Sequence, residues 1–284
     1  MSAADAAGPG LGPALTSARR DPTFEVEAID EHGDRTRVSI AGEHPLTLYV
    51  DKRELVTLMT LGQAPEALAL GFLRNQRLVE GIDQIAAVHV DWEVDAVAVT
   101  TRAGGADYSA RTATRTVTTG CGQGSVFGGL MEEIEAIRLP QDARLSRRGL
   151  HALLDAVRRR ETVYKQAGAV HGCALARCRD DGSEASAEVL YYVEDVGRHN
   201  AVDAIAGHMW LDRVDGADKV FYTTGRLTSE MVIKCAQMGV PFLVSRSGLT
   251  EMGYRIARQV GLTMIGRAAN SRFLLFTGEA RFDR

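Results

Sequence analysis

The sequence is poor in cysteine and contains no long apolar run. It has four cysteines in 284 residues, and no two of them form a Cys-x-x-Cys pair. So few cysteines do not indicate a disulfide framework or a structural zinc site, and they fit a reducing compartment. No apolar stretch approaches the ~18 residues of a membrane helix. The composition therefore predicts a cytoplasmic protein that does not insert into membranes and holds no metal ion of its own.

Excess charge of one sign is also lacking. The formal net charge is −4 and the pI is near 6.0, which argues against general binding of nucleic acid. Serine-hydrolase and Walker-type phosphate motifs are absent. With 45% hydrophobic and 25% charged residues, the chain can build one large domain or two modest ones at ~150 residues each.

A single cysteine lies in a glycine-rich stretch near the middle of the chain. Cys121 stands between Gly120 and Gly122, and the residues after Ser125 begin to look helical. Glycines leave the thiol uncovered, and a helix start just downstream would favour thiolate over thiol. We predict a mobile loop over residues 116–130 that carries an accessible, nucleophilic sulfur. A flexible loop that merely contains a cysteine is the alternative.

Hydrophobic periodicity divides the rest of the chain. Residues 1–22 are rich in alanine, glycine and proline, and we predict a disordered tail there. Residues 23–115 alternate as strands around one helix, which predicts a small α+β subdomain. Residues 131–284 alternate strands and helices with short connections. That pattern predicts an α/β domain in which helices cover both faces of a parallel or mixed sheet.

Four loops that follow predicted strands combine small residues with arginine. Ligands gather at the carboxyl ends of strands in such sheets, and arginine can hold phosphate with two hydrogen bonds. The loops therefore predict an anionic ligand such as a nucleotide. Each arginine also has a plainer interpretation, for example an ion pair between Arg198 and Asp195. The arginines of these loops are Arg198, Arg226, Arg246, and Arg267 with Arg272 in the segment Gly266–Arg272.

Two histidines are further candidates. His171 lies in a predicted strand, where it is either a buried core histidine or a metal ligand or base. His199 directly precedes a predicted helix and could provide a hydrogen bond at its N-terminus.

Several stretches together resemble the FdhD/NarQ family of formate dehydrogenase accessory proteins, from about residue 23 to the end. The most specific is the block Glu194-Asp195-Val196-Gly197-Arg198-His199-Asn200-Ala201. The others are Leu68–Leu73, Glu80-Gly81-Ile82, Cys121-Gly122, Thr162-Val163-Tyr164 with Gly168–His171, and Gly261-Leu262-Thr263 before Gly266.

The resemblance implies a sulfurtransferase of molybdenum cofactor maturation. A cysteine desulfurase would load a persulfide onto Cys121. The sulfur would then pass to the molybdenum bis-molybdopterin guanine dinucleotide cofactor before its insertion into formate dehydrogenase. The resemblance further implies a homodimer and a larger C-terminal three-layer domain like that of cytidine deaminases. The implied cofactor-binding residues are Arg267, Ala268, Ala269, Asn270, Ser271 and Arg272.

The sequence departs from the family pattern at one point of the loop. Many relatives carry Cys-Gly-x-Cys, whereas this chain has Gln123-Gly124 after Cys121-Gly122. A non-catalytic chaperone that binds the cofactor without moving sulfur is therefore an alternative function. A zinc-dependent deaminase-like hydrolase is a weaker one, because His171-Gly172-Cys173 has cysteine where the deaminase motif needs glutamate.

Overall fold

A computed structural model describes residues 12–104 and 137–284 of the chain. The mobile loop predicted over residues 116–130, with Cys121, lies outside the described residues. The predicted domain boundaries at residues 115 and 130 lie outside them as well.

Strands dominate residues 12–104, and residues 137–284 contain both strands and helices. The strands are β1 (Ala14–Leu15), β2 (Thr23–Ile29), β3 (Arg35–Ala41), β4 (His44–Val50), β5 (Arg53–Thr60), β6 (Ile85–Asp91), β7 (Ala96–Thr101), β8 (Leu145–Ser146), β9 (His171–Asp180), β10 (Ala185–Asp195), β11 (Val220–Thr223), β12 (Phe242–Ser245), β13 (Thr263–Ala269), β14 (Arg272–Thr277) and β15 (Phe282–Asp283). The helices are α1 (Pro65–Asn75), α2 (Arg147–Arg160), α3 (Val163–Ala167), α4 (Arg198–Leu211), α5 (Ser229–Gln237) and α6 (Glu251–Val260).

The first sheet has five strands in the order β1-β6-β7-β4-β5. Its strands alternate buried and exposed residues, as a sheet with one face in the core requires. In β4, Leu46, Leu48 and Val50 are fully buried. Helix α1 packs against β6 and β7 and covers this face.

The second sheet has six strands in the order β10-β9-β11-β12-β13-β14. Strands β11, β12 and β13 are parallel to one another, while β9 and β14 run antiparallel to their neighbours. Ala174, Tyr222 and Val244 pack with residues of α2 on one face. Their neighbours Leu175, Phe221 and Leu243 pack with α4, α5 and α6 on the other. The prediction of a mixed sheet covered by helices on both faces is confirmed.

Glycines allow close contact between α1, which covers the first sheet, and α4, which covers the second. A Cβ atom on Gly71 would lie 1.6 Å from the carbonyl oxygen of Asp203, and one on Gly207 would lie 1.9 Å from that of Ala67. No side chain fits at either point, so the two helix backbones are in direct contact. This contact joins the two sheets into one structure.

Residues 12–22 have partners in the first sheet and its neighbours. Strand β1 pairs in parallel with β6, and the amide of Ala18 donates to Glu66 Oε1 at 2.9 Å. The guanidinium of Arg20 lies over the ring of Trp92, 5.3 Å from its centre. Residues 12–22 therefore contact the first sheet, and the disordered tail over residues 1–22 stays a prediction. Strand pairing supplies hydrogen bonds that the local composition does not reveal.

Candidate functional site

The carboxyl ends of β10, β11, β12 and β13 lie at the same edge of the second sheet. Strand β10 points the same way as β11 because both are antiparallel to β9. Neighbouring loops are joined there by backbone hydrogen bonds. The donors and acceptors are Thr224 N to Gly172 O (2.9 Å), Arg246 N to Thr223 O (3.3 Å) and Arg267 N to Ser247 O (2.8 Å). The structure thus brings together the four loops that the sequence singles out.

Glu194 has a structural role at this edge. Its buried carboxylate accepts hydrogen bonds from the amides of Thr162, Val163 and Tyr164 and from the Thr162 hydroxyl at 2.7 Å. These amides form the first turn of α3, where no helix carbonyl can accept from them. Glu194 therefore caps α3 instead of facing a ligand.

Asp195 ties the edge to the first sheet. Its carboxylate accepts from the Thr60 hydroxyl at 2.5 Å and from the Leu61 amide at 3.0 Å. It also accepts from the amide of Gly197 and from the Asn200 side chain. Burial raises the pKa of Asp195, and these hydrogen bonds oppose the shift. Four donors, from Thr60, Leu61, Gly197 and Asn200, therefore hold this carboxylate.

Arg198 begins α4, and a glycine makes room for it. A Cβ atom on Gly225 would lie 2.9 Å from Cδ of Arg198, so any larger residue would displace the arginine stem. Gly225 in turn is held by its amide, which donates to the Thr223 hydroxyl at 3.0 Å, and by its carbonyl, which accepts from Ser245. The loop after β11 therefore positions Arg198 as well as its own Arg226.

A pocket of about 190 Å³ lies between this edge and the first sheet. Its lining includes Glu43, Met59, His171, Gly197, Arg198 and His199. Burial lowers the pKa of His171, and repulsion from Arg198, Arg226 and Arg246 lowers it further. The electrostatic potential at the imidazole is therefore positive.

His199 is buried in the floor of the same pocket. Its Nε2 lies 3.4 Å from Glu230 Oε2, and neither ring nitrogen makes a hydrogen bond within the described part of the chain. Burial lowers the pKa of His199 to about 2, and Lys234, Arg198 and His171 act in the same direction. His199 is therefore a neutral imidazole at physiological pH.

Behind His199 lies a buried ion pair that sequence reasoning missed. Lys234 Nζ donates to Asp203 Oδ2 at 2.8 Å, and both side chains are almost completely buried. Asn75 of α1 donates to the other oxygen of Asp203 at 2.7 Å. Burial opposes the charge on Lys234, but Asp203 and Glu230 outweigh it and raise its pKa. The signal in the sequence is a lysine inside the apolar run of α5 and an aspartate inside the alanine-rich α4.

Arg246 is engaged by neighbours that the sequence did not single out. Its Nη1 donates to Glu161 Oε1 at 3.1 Å, and its guanidinium lies over Tyr164, 4.8 Å from the ring centre. Both partners come from the end of α2 and the start of α3. The guanidinium is held in a fixed position beside the β13–β14 connection.

The predicted cofactor-binding segment is a β-hairpin, not an open loop. Strand β13 continues to Ala269 and β14 starts at Arg272, so only Asn270 and Ser271 form the turn. Arg267 and Arg272 are exposed, and neither side chain has a hydrogen bond or ion pair within the described residues. Ala268, by contrast, packs into the core of the second sheet. Residues 268–270 border a small pocket of about 100 Å³ that also contains Arg246.

The three cysteines within the described ranges are poor nucleophiles. Cys173 and Cys235 are fully buried, and burial raises the pKa of Cys173 and of the half-buried Cys178 to about 12. Burial raises the pKa of Cys235 as well. These thiols stay protonated at neutral pH and do not replace a loop thiol.

Residues 12–104 and 137–284 contain no group of three or more His, Cys, Asp or Glu side chains arranged to hold a metal ion. Over the same residues, no helix combines the length and the apolar composition that crossing a bilayer requires.

Known proteins resemble this chain over most of its length. It is 29% identical over 248 residues to the sulfur carrier protein FdhD of Listeria innocua serovar 6a, covering 86% of this chain and 91% of that protein. It is 27% identical over 257 residues to the sulfur carrier protein FdhD of Bacillus subtilis strain 168, covering 88% and 94%.

A solved structure shares the fold. The crystal structure of a candidate formate dehydrogenase accessory protein from Desulfotalea psychrophila superposes with a TM-score of 0.70 and 24% sequence identity. The match covers 92% of this chain and 98% of that one. The mixed α/β architecture described above is therefore that of a known protein. The likeness of the C-terminal domain to cytidine deaminases stays a prediction.

The family model agrees with the residues on which the resemblance rests. The model of the FdhD/NarQ family matches residues 41–283, a span that includes the Glu194–Ala201 block and the β13–β14 hairpin. With the fold, the edge loops and this match in agreement, the chain belongs to the FdhD/NarQ family.

Proposed function

We propose that this protein is a sulfur carrier that accepts sulfur on Cys121 and delivers it to the molybdenum bis-molybdopterin guanine dinucleotide cofactor of formate dehydrogenase. The observation that carries the proposal is the arginine-lined edge of the second sheet, in a chain of the FdhD/NarQ family. Such an edge suits a ligand with several phosphates. The relatives named sulfur carrier protein FdhD support the sulfur-transfer part.

The first step is thiol–persulfide exchange with a cysteine desulfurase. The Cys121 thiolate attacks the terminal sulfur of the donor persulfide, so that a new sulfur–sulfur bond forms on Cys121. The bond within the donor breaks, and the donor cysteine leaves as a thiolate. The exchange needs no external oxidant or reductant.

In this proposal the cofactor is a bound substrate, and its binding site is the edge of the second sheet. Arg267 and Arg272 are the first contacts for its guanine and phosphate groups, since both guanidinium groups are exposed and uncommitted within the described ranges. Arg198 and Arg226 are further contacts. Ala268 contributes only backbone, because its side chain is buried.

A non-catalytic chaperone is the second candidate function. Gly124 stands where many family members have a second cysteine, which is the observation that favours it. A chaperone would hold the cofactor and pass it on without changing its sulfur content.

Mass spectrometry separates the two functions. After incubation with a cysteine desulfurase and cysteine, a sulfur carrier gains the mass of one sulfur atom on the peptide that contains Cys121. Cys121→Ser should lose that adduct, keep cofactor binding and leave formate dehydrogenase inactive, whereas Cys178→Ser should retain the adduct. Full formate dehydrogenase activity with Cys121→Ser would exclude the transfer role and favour the chaperone.

The proposal includes a cytoplasmic homodimer that contacts formate dehydrogenase, as the family resemblance implies. Sedimentation velocity measures the dimer directly. Co-purification with the formate dehydrogenase of the same cell tests the partner.

A further inference from the structure

The pocket at the first turn of α4 has features that neither the hairpin nor the loop cysteine explains. It lies where the first sheet meets the edge of the second, with Met59 and Glu43 on one side and His171 and Arg198 on the other. Its volume of about 190 Å³ is several times the ~30 Å³ share of one water molecule. It can hold one small polar group but not a whole nucleotide, because pockets for larger ligands start near ~300 Å³.

The backbone at this pocket suits an anion. Helix α4 is 14 residues long and starts at Arg198, and its N-cap residue Gly197 has no side chain with which to cap the first turn. The amides of a first helical turn have no acceptor within the helix, and the helix dipole adds positive potential there. Helix N-termini of this kind are common sites for phosphate and related anions.

A second, independent observation is the state of His199. Its side chain has a relative exposure of 9% and lines the pocket. Neither ring nitrogen has a hydrogen-bond partner in the described ranges, and the carboxylate next to it is Glu230, with Oε2 3.4 Å from Nε2. Buried polar atoms without partners are rare, and they commonly face a ligand or an ordered water. An occupant of the pocket would give this imidazole the partner that it lacks.

Charged groups of both signs surround the pocket, and the arginines lie on the side of His171. The groups that face His171 are Arg198 at the start of α4, Arg226 after β11 and Arg246 after β12. Lys234 from α5 adds positive potential at His199, and its own charge is balanced by Asp203 and Glu230. The acidic group that lines the pocket, Glu43, is exposed at its rim. The three arginines favour an anion beside His171, whereas Glu230 lies behind His199 and Asp195 accepts from the Gly197 amide.

We propose that this pocket is a subsite for a phosphate-type oxyanion, bound by the first turn and side chain of Arg198 together with His171 and Arg226. This subsite adds detail to the proposed function. It rests on that function only for the source of the phosphate, which is a group of the guanine dinucleotide. A free oxyanion has the same chemistry and would use the same contacts.

Titration calorimetry with inorganic phosphate tests the subsite without cofactor or desulfurase. Wild-type protein should bind phosphate, and Arg198→Gln should weaken binding by about tenfold or more, because a hydrogen bond to a charged group is lost. Arg226→Gln replaces an exposed arginine, so it should not destabilise the fold. It should weaken phosphate binding a few-fold. Arg147→Gln, at the start of α2, removes one charge elsewhere and should change nothing.

Nuclear magnetic resonance of the His171 ring measures its pKa with and without phosphate. A purely structural role of Arg198 would not make this pKa depend on phosphate. A bound oxyanion stabilises the imidazolium, so saturating phosphate should raise the pKa of His171 in wild type and not in Arg198→Gln. Absence of phosphate binding at millimolar concentration, equal binding by Arg198→Gln and wild type, or an unchanged pKa of His171 at saturation would each overturn the proposal.

Guanosine diphosphate identifies the source of the anion. Competition between this nucleotide and inorganic phosphate indicates that the subsite takes a nucleotide phosphate, and simultaneous binding indicates a free oxyanion. The two proposals fail separately. Phosphate binding without a sulfur adduct on Cys121 rejects the carrier alone, and an adduct without phosphate binding rejects the subsite alone.

Discussion

The Asp195 carboxylate accepts a hydrogen bond from the Thr60 hydroxyl at 2.5 Å, across 135 positions of sequence. Both side chains are buried, and the bond joins the end of β10 in the second sheet to the end of β5 in the first. The most specific sequence block of the chain therefore contributes to holding the two sheets together. The pocket with Arg198 and His199 lies beside this junction.

Thr60→Val should destabilise the protein by about 1–3 kcal/mol, because it leaves one oxygen of a buried carboxylate with fewer donors. Urea unfolding followed by circular dichroism measures the change. Thr57→Val is the matched control, since Thr57 is exposed on the same strand and bonds only to Thr47. An equal effect of the two substitutions would show that the Asp195 contact adds no stability.

Gly71→Ala should destabilise the protein severely. The new Cβ atom would lie 1.6 Å from the Asp203 carbonyl oxygen, so α1 and α4 must separate and lose packing. Gly81→Ala is the control, because no atom lies within 4 Å of a Cβ there. Thermal unfolding should show a large fall in melting temperature for Gly71→Ala alone. Similar melting temperatures for Gly71→Ala and Gly81→Ala would contradict the close contact between α1 and α4.

Lys234→Met should cost about 3–5 kcal/mol of unfolding free energy, since it leaves the charge of Asp203 buried without its partner. The comparison is Arg255→Met, which breaks an exposed pair with Glu251 and should change stability by less than about 0.5 kcal/mol. Chemical unfolding of both variants measures the difference. A small effect of Lys234→Met would mean that water reaches Asp203.

His199 should make stability fall as the pH drops below neutrality. The unfolded chain takes up a proton on this histidine near pH 6.5, whereas the folded chain resists protonation until about pH 2. The unfolded state therefore binds more protons in this window, so the contribution is complete above pH 6.5 and is lost below it. The limiting slope is about 1.4 kcal/mol per pH unit.

The variant His199→Gln isolates this contribution from those of other groups. Burial raises the pKa of Asp195 and of Glu230, and those groups act with the opposite sign. Urea unfolding at pH 7.5, 6.5 and 5.5 gives the free energy of unfolding of each protein. The stability of His199→Gln relative to wild type should rise as the pH falls. His32→Gln changes a solvated ring and should track wild type. Parallel curves for His199→Gln and wild type would contradict a buried neutral imidazole.

Local patterns predicted the layers around the second sheet well. The sequence predicts alternating strands and helices from Val170 onward, and the structure has them in a mixed sheet covered on both faces. The loops of Arg198, Arg226 and Arg246 follow strands as predicted, whereas Arg267 lies inside β13 and Arg272 begins β14. Chain connectivity and hydrophobic period suffice for these features because both are local properties of the sequence.

The roles of individual residues in the Glu194–Ala201 block were less predictable. Glu194 caps α3 and Asp195 bonds to Thr60, so the contacts come from residues 30 or more positions away. The contacts of residues 12–22 are not visible in the sequence for the same reason, since their partners lie on β6 and α1. Composition describes a segment but not the strand that it will meet.

The sequence by itself determined the family, the strand and helix alternation, and the candidate thiol and arginines. These follow from residue type and spacing, which are present before the chain folds. Only the tertiary structure decided which polar residues are engaged by the protein and which remain open to a ligand. That division depends on burial and on partners distant in sequence, and both exist only once α1 has closed against α4.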